Sequence, residues 1–213
     1  MELVHPLAEA YASLHSSPDD ALLAQIQAAT LAEHPHAHML SSPVQGRFLS
    51  MMSQLVQPKQ ILEIGTFTGY SALCLAKGLQ GDGQLHTIEL REEEDALKSK
   101  ANFSISERAE QIHLHIGDAK TIIPSLNQTW DLVFIDADKT GYIDYYELLV
   151  PRMAKNGLMI ADNVLFHGQV LETPLSGKNA KAIDAFNAHV AADPRTEQVL
   201  LTVRDGLLLI KIK

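Results

Sequence analysis

The sequence predicts an α/β fold: a doubly wound, mostly parallel seven-stranded sheet that closes on an antiparallel hairpin and is preceded by helices. Three observations carry this prediction. Five short apolar runs between residues 61 and 161 alternate with segments of helix length. Most of these runs are continuously apolar, as strands covered on both faces are. Two more apolar runs near the C-terminus are separated only by Arg204-Asp205-Gly206. That is too short for a crossover to a parallel neighbour and suits a hairpin turn.

Residues 1–57 read as two or three helices, with Pro43 opening the third. The first strand is Ile61-Leu62-Glu63-Ile64, stopped by Gly65, and a helix follows over about 70–80. Leu85-His86-Thr87-Ile88-Glu89 is the second strand, with a helix over 92–107. Its acidic start, Glu92-Glu93-Glu94-Asp95, suits the positive end of a helix dipole. Ile112-His113-Leu114-His115-Ile116 alternates cleanly as the third strand, before a helix over 119–126. Leu132-Val133-Phe134-Ile135 is the fourth, followed by a helix over 140–154, and Leu158-Met159-Ile160-Ala161 the fifth. Val199–Val203 and Leu207–Ile212 form the terminal hairpin. At 213 residues the chain is expected to be one domain, residues 1–213, with a helical lid or dimer segment over 1–57 and the sheet over 58–213.

Composition removes several function classes. The net charge is -9, and residues 1–46 contain five acids and no Lys or Arg. No basic run is present to displace counterions from a polyanion or to meet an anionic membrane. Cys74 is the single cysteine, which rules out an intramolecular disulfide and a thiolate-rich metal site. No apolar stretch is long enough for a membrane helix, and Met1–Pro6 does not resemble a secretory signal, so a cytoplasmic location is expected.

In an open α/β sheet the ligand lies beyond the carboxyl ends of the strands. After the first strand comes Glu63-Ile64-Gly65-Thr66-Phe67-Thr68-Gly69-Tyr70-Ser71. Its glycines permit a tight turn and close approach of a ligand. Phe67 stands where a dinucleotide fingerprint needs its middle glycine, and no Gly-Lys-Ser/Thr follows. Glu89 ends the second strand, where an acid accepts from both hydroxyls of a ribose. Asp118, after the third strand, is placed to accept from an adenine amino group. Together these ends match an adenosine ligand without a pyrophosphate, and S-adenosylmethionine is the candidate.

The next two strand ends carry a second group. Asp136-Ala137-Asp138-Lys139 follows the fourth strand and Asp162-Asn163 the fifth. Two carboxylates and an amide oxygen are hard ligands suited to Mg²⁺, Ca²⁺ or Mn²⁺. Either Asp could instead cap a helix, and Lys139 could pair with Asp138 at the surface. The alternate histidines His34, His36 and His38 suit a solvated or packing role better than a metal site.

With these motifs in place, the sequence resembles the class I, metal-dependent O-methyltransferases of the catechol and caffeoyl-CoA type, in particular their small bacterial members. The resemblance runs from about His38 to the C-terminus. It rests on Met39-Leu40-Ser41-Ser42, Gln45-Gly46, the Glu63–Ser71 loop, Phe134–Lys139, Asp162-Asn163-Val164-Leu165 and Asp205-Gly206. It implies a Rossmann-like fold and S-adenosylmethionine as cofactor. The implied cofactor contacts are Met39, Ser41, Glu63, Gly65, Thr66, Ser71, Glu89, Asp118, Ala119 and Asp136. Asp136, Asp162 and Asn163 are the implied ligands of a divalent metal, Mg²⁺ foremost. Lys139 is the implied general base, acting beside Asp136, and a pKa lowered by neighbouring cationic charge and burial would suit it to that role. A homodimer is implied as well.

The acceptor implied is a catechol-like vicinal diol. Plant relatives acting on CoA thioesters meet the phosphates with basic residues near the N-terminus, which this chain lacks. Phe166-His167-Gly168 also replaces a Trp and an Asn that follow their Asp-Asn motif. Other relatives methylate a hydroxylated uridine of tRNA, and the -9 charge speaks against that acceptor. A cofactor-binding or dimerisation module without catalysis is the alternative from another class.

Overall fold

The computed structural model describes residues 3–92 and 94–213. Met1, Glu2 and Glu93, which belong to the N-terminal and acidic stretches considered above, lie outside the described residues. Three helices come first: α1 (Pro6–Leu14), α2 (Ala21–Glu33) and α3 (Pro43–Val56). Then follow β1 (Gln60–Ile64), α4 (Tyr70–Ala76), β2 (Gln84–Glu89), α5 (Glu94–Ser104), β3 (Ile112–Ile116) and α6 (Ala119–Leu126). The chain continues through β4 (Trp130–Ile135), α7 (Tyr142–Leu149), β5 (Met153–Asp162), α8 (Lys178–Ala192), β6 (Thr196–Leu201) and β7 (Leu207–Ile212). The strands form one sheet in the order β3-β2-β1-β4-β5-β7-β6. β1 to β5 pair in parallel, while β7 runs antiparallel to both β5 and β6. The hairpin folds back so that its second strand, the more apolar one, sits inside the sheet and β6 forms the edge.

The uninterrupted apolar runs are explained by two cores, one on each face. Leu62, Ile64, Val133, Ile135, Met159 and Ala161 point to a core shared with Tyr142, Tyr146, Ile183 and Phe186. Their neighbours Ile61, Leu132, Phe134 and Ile160 point the other way, toward Leu49, Tyr70 and Leu75. Successive strand residues thus alternate between faces that are both dry. β3 is the edge strand, and its burial falls from buried Ile112 to exposed Ile116 rather than alternating as its sequence does. Its His113 and His115 rings lie 5.0 and 5.2 Å from that of His86 on β2.

Several boundaries differ from those expected. α4 ends at Ala76, and a Cβ on the following Gly78 would fall 2.2 Å from the Ser53 backbone, so α3 passes too close for any side chain. α7 ends at Leu149 and passes into a tight turn carrying Pro151, whose missing N–H cannot continue a helix. β5 begins earlier, at Met153, because its start pairs with Trp130 across an irregularity in register. β6 begins at Thr196, earlier than expected. α8 was not expected at all. It buries Ala180, Ile183, Phe186 and Val190 against the sheet.

Ser42 and Pro43 start α3, Ser42 Oγ accepting from the Gln45 N–H at 3.3 Å. Buried Gln45, Gly46, Leu49 and Ser53 line the face of α3 that packs inward. α1 buries none of its residues and leaves Leu7, Tyr11 and Leu14 exposed along one side. No helix among the described residues is long and apolar enough to cross a membrane.

Candidate active site

A cavity of about 730 Å³ opens over the carboxyl ends of β1, β2, β4 and β5. Its floor is built by three neighbouring strands that end at one level. Gly65 N–H donates to the Ile88 carbonyl at 2.9 Å, and Asp136 N–H to the Ile64 carbonyl at 2.9 Å. Gly65 has φ 99, and a Cβ there would stand 1.9 Å from the Asp136 carbonyl oxygen. Glycine is therefore required where the loop crosses the end of β4.

Met39, Ser41, Gly65, Thr66, Ser71, Glu89, Ala119 and Asp136 all line this cavity. Glu89 accepts from the Phe67 N–H at 3.1 Å and the Leu90 N–H at 2.9 Å, so its carboxylate is held at the rim of the glycine loop. Glu63 lies behind the cavity wall. It is fully buried and accepts from Ser71 Oγ and Thr87 Oγ1, each at 2.6 Å. Burial pushes its carboxyl up to about 8, against those two hydrogen bonds. Asp118 is also outside the lining. It is exposed and caps α6, accepting from the Lys120 N–H at 2.8 Å.

The second group converges at the other end of the cavity. Lys139 Nζ donates to Asp136 Oδ1 at 3.0 Å, to Asn163 Oδ1 at 2.8 Å and to Tyr142 Oη at 2.8 Å. Its side chain is 12% exposed, and its ion pair is with Asp136. The surface pairing with Asp138 does not form; Asp138 instead receives the Tyr145 hydroxyl. Neither Asp136 nor Asp162 caps a helix. Asp162, 2% exposed, accepts from the Asn163 N–H at 2.7 Å and from Gln45 Nε2 at 2.6 Å. Burial and the charge of Asp136 raise its pKa.

The chain's own groups act on Lys139 in both directions. Burial does work against its charge, but Tyr142 and Asp136 outweigh that and hold the ammonium above its ordinary range. The ammonium stands between oxygens of Asp136 and Asn163, two of the three residues in the donor set.

His34 is packed. Its Nδ1 accepts from the His36 N–H at 3.0 Å, and its Nε2 meets Asp95 Oδ1 at 2.6 Å at the start of α5. Among the described residues, no group of three His, Cys, Asp or Glu side chains could hold a metal. The Asp136–Asp162–Asn163 set has two carboxylates and one amide oxygen. Cys74 is buried and free, and Tyr145 joins the cavity wall while Tyr142 and Tyr146 are buried beneath.

Two residues of the site had no role legible in the sequence. Gln45 stands out there only by preceding Gly46, and Arg204 only by preceding Asp205-Gly206. Leu3, Val4 and Glu9, from the Lys/Arg-free segment at the N-terminus, also reach the cavity.

Comparison with known proteins identifies the family. A family model described as O-methyltransferase matches residues 13–213. The catechol O-methyltransferase of Niastella koreensis is 33% identical over 204 residues, covering 92% of this chain and 91% of that one. Caffeoyl-CoA O-methyltransferase 5 of Nicotiana tabacum is 31% identical over 195 residues, covering 84% and 80%. Among solved structures, the O-methyltransferase from Bacillus cereus in complex with SAH superposes with a TM-score of 0.88 at 29% identity, covering 97% of each chain. On the strength of the family match and these relatives, the chain belongs to the O-methyltransferase family.

Proposed function

We propose that this chain transfers the methyl group of S-adenosylmethionine to one hydroxyl of a small catechol-like diol, with a divalent cation, Mg²⁺ or else Ca²⁺ or Mn²⁺, beside Asp136, Asp162 and Asn163. One observation carries the reading. The cavity joins a glycine loop with a ribose-type acid, Glu89, to an oxygen-rich cluster around Lys139. The SAH bound in the Bacillus cereus relative supports the cofactor, and the names of the curated relatives support a phenolic acceptor.

Methyl transfer from a sulfonium is an in-line displacement, so the acceptor oxygen must be aligned and relieved of its proton. Glu89, Ser71 and the Gly65 turn bind and orient the cofactor in this reading, and Met39 and Ser41 close over its methionine end. Asp136, Asp162 and Asn163 fit a hard cation, which would lower the pKa of a bound diol hydroxyl. Lys139 Nζ faces the same end, where its ammonium would stabilise the acceptor oxyanion; a cation beside Asp136 and Asn163 would favour loss of its proton to water and leave the neutral amine able to take the one from the hydroxyl. Tyr142 fixes that amine, because its own hydroxyl donates to the Asp162 carbonyl at 3.0 Å.

The same proposal includes a single domain whose N-terminal helices wall the acceptor pocket, a cytoplasmic location, and a homodimer. The exposed Leu7, Tyr11 and Leu14 stripe on α1 supports the homodimer. The test is calorimetric titration with S-adenosylmethionine, then a caffeate and catechol assay with Mg²⁺ or EDTA. Methylation that stops in EDTA is expected. Turnover undiminished by EDTA overturns the cation, and cofactor binding without turnover of any diphenol overturns the acceptor.

A further inference from the structure

We propose that Arg204 is a positioning residue that holds both ends of the active site through one guanidinium group. The role given to Asp162 rests on the function proposed above; the hydrogen bonds do not. Arg204 sits in the β6–β7 turn at φ 48, a left-handed conformation that disfavours a side chain of its size. The turn is pinned to the exit of β5, where the Val164 N–H donates to the Gly206 carbonyl at 3.2 Å and the Leu165 N–H to the Asp205 carbonyl at 2.9 Å. Arg204 therefore moves with Asp162 and Asn163, one residue upstream.

From this position Arg204 Nη1 donates to the Leu40 carbonyl at 3.0 Å and to Gln45 Oε1 at 3.1 Å. A guanidinium has donors and no acceptor, so it admits one orientation of the Gln45 amide. The oxygen must face Arg204, which turns the NH₂ toward Asp162, and Nε2 donates to Asp162 Oδ2 at 2.6 Å. A reversed amide would set NH₂ against guanidinium and oxygen against carboxylate, in a position that is 0% exposed. With the Asn163 N–H on Oδ1, both oxygens of Asp162 are then fixed. The Leu40 bond acts at the other end, on the segment between Met39 and Ser41 that lines the cavity.

The experiment compares the full-length protein with Arg204→Gly, Arg204→Lys and Gln45→Met. S-adenosylmethionine affinity is read by calorimetry and Mn²⁺ affinity by the spin signal of the free ion. Glycine takes φ 48 without strain, so Arg204→Gly is expected to melt close to the parent temperature. Removing the partner that orients a ligand typically weakens metal binding about 10- to 100-fold. Arg204→Gly should show that loss for Mn²⁺ together with a weakened cofactor. Gln45→Met should lose Mn²⁺ affinity alone, and Arg204→Lys should recover part of both losses. Parent affinities in Arg204→Gly overturn the proposal, as does a Gln45→Met that weakens the cofactor equally. If the parent protein binds no Mn²⁺, the proposed cation and the Asp162 half of this inference both fall, and cofactor affinity in Arg204→Gly still decides the Leu40 half.

Discussion

Glu63 makes the stability of this fold depend on pH in the sense opposite to most carboxylates. The perturbation that exposes this is Glu63→Gln, which keeps the shape and replaces a titrating acid by a neutral amide. Buried at the end of β1, the Glu63 carboxyl stands near 8 against an ordinary 4.5. A raised carboxyl means that the native state holds a proton that the unfolded chain releases. The native protein therefore binds more protons than the unfolded chain between those two values, and stability falls as pH rises through that window. The span of 3.5 units corresponds to about 5 kcal/mol at about 1.36 kcal/mol per unit. Relaxation and water entry around the buried anion reduce this to on the order of 2–5 kcal/mol. Urea denaturation of both proteins from pH 5 to 9 isolates the effect, since every other ionisable group is common to both and cancels in the difference. The variant should gain on the parent steadily toward pH 8. A difference constant to within about 0.5 kcal/mol across the range would show that native Glu63 is ionised throughout, and would refute the reasoning.

Three further predictions follow from the packing and the site. Gly65→Ala forces a Cβ against the Asp136 carbonyl oxygen at a left-handed φ, and should cost about 3 kcal/mol or more with cofactor affinity falling in parallel; an unchanged melting curve would contradict it. Phe186→Ala removes a fully buried ring that meets the Tyr142 ring edge-on at 5.3 Å, and should cost about 3–5 kcal/mol in chemical denaturation. Lys139→Met should lower methyl transfer by about 10²- to 10⁴-fold. It should leave S-adenosylmethionine affinity within about threefold, as measured by calorimetry, because the amine faces the acceptor end.

Much of the fold is legible because its cause is local. A strand with two dry faces must be apolar at every position, and Ile61–Ile64 or Leu132–Ile135 announces that directly. The glycine at 65 and the acids at 89, 136 and 162 are legible for a related reason, since each stands where a strand stops and the chain turns. α8 escaped notice because its buried Ala180, Ile183, Phe186 and Val190 are separated by polar and alanine positions that carry little apolar contrast. β6 was displaced because Thr196 pairs with Ile212 while Val199 and Leu200 face outward at the sheet edge, so apolarity there does not mark burial.

The sequence by itself determined the strand succession, the apolar faces, the residues at the strand ends and the hairpin, because period, chain reversal and strand termination are written over a few neighbouring residues. Tertiary structure alone decided which groups meet. It placed β7 rather than β6 beside β5, turned Glu63 behind the cavity, set Asp118 to capping, and brought Lys139 to Asp136 and Asn163 rather than to Asp138. It also joined Arg204, Gln45 and Asp162, which come from three separate elements. The hydrogen bonding of Lys139 belongs to the same class, since its partners approach from the ends of β4 and β5 and from α7. Hydrogen-bond partners and pKa values depend on distances of a few ångströms between segments far apart in the chain, and no local pattern encodes those.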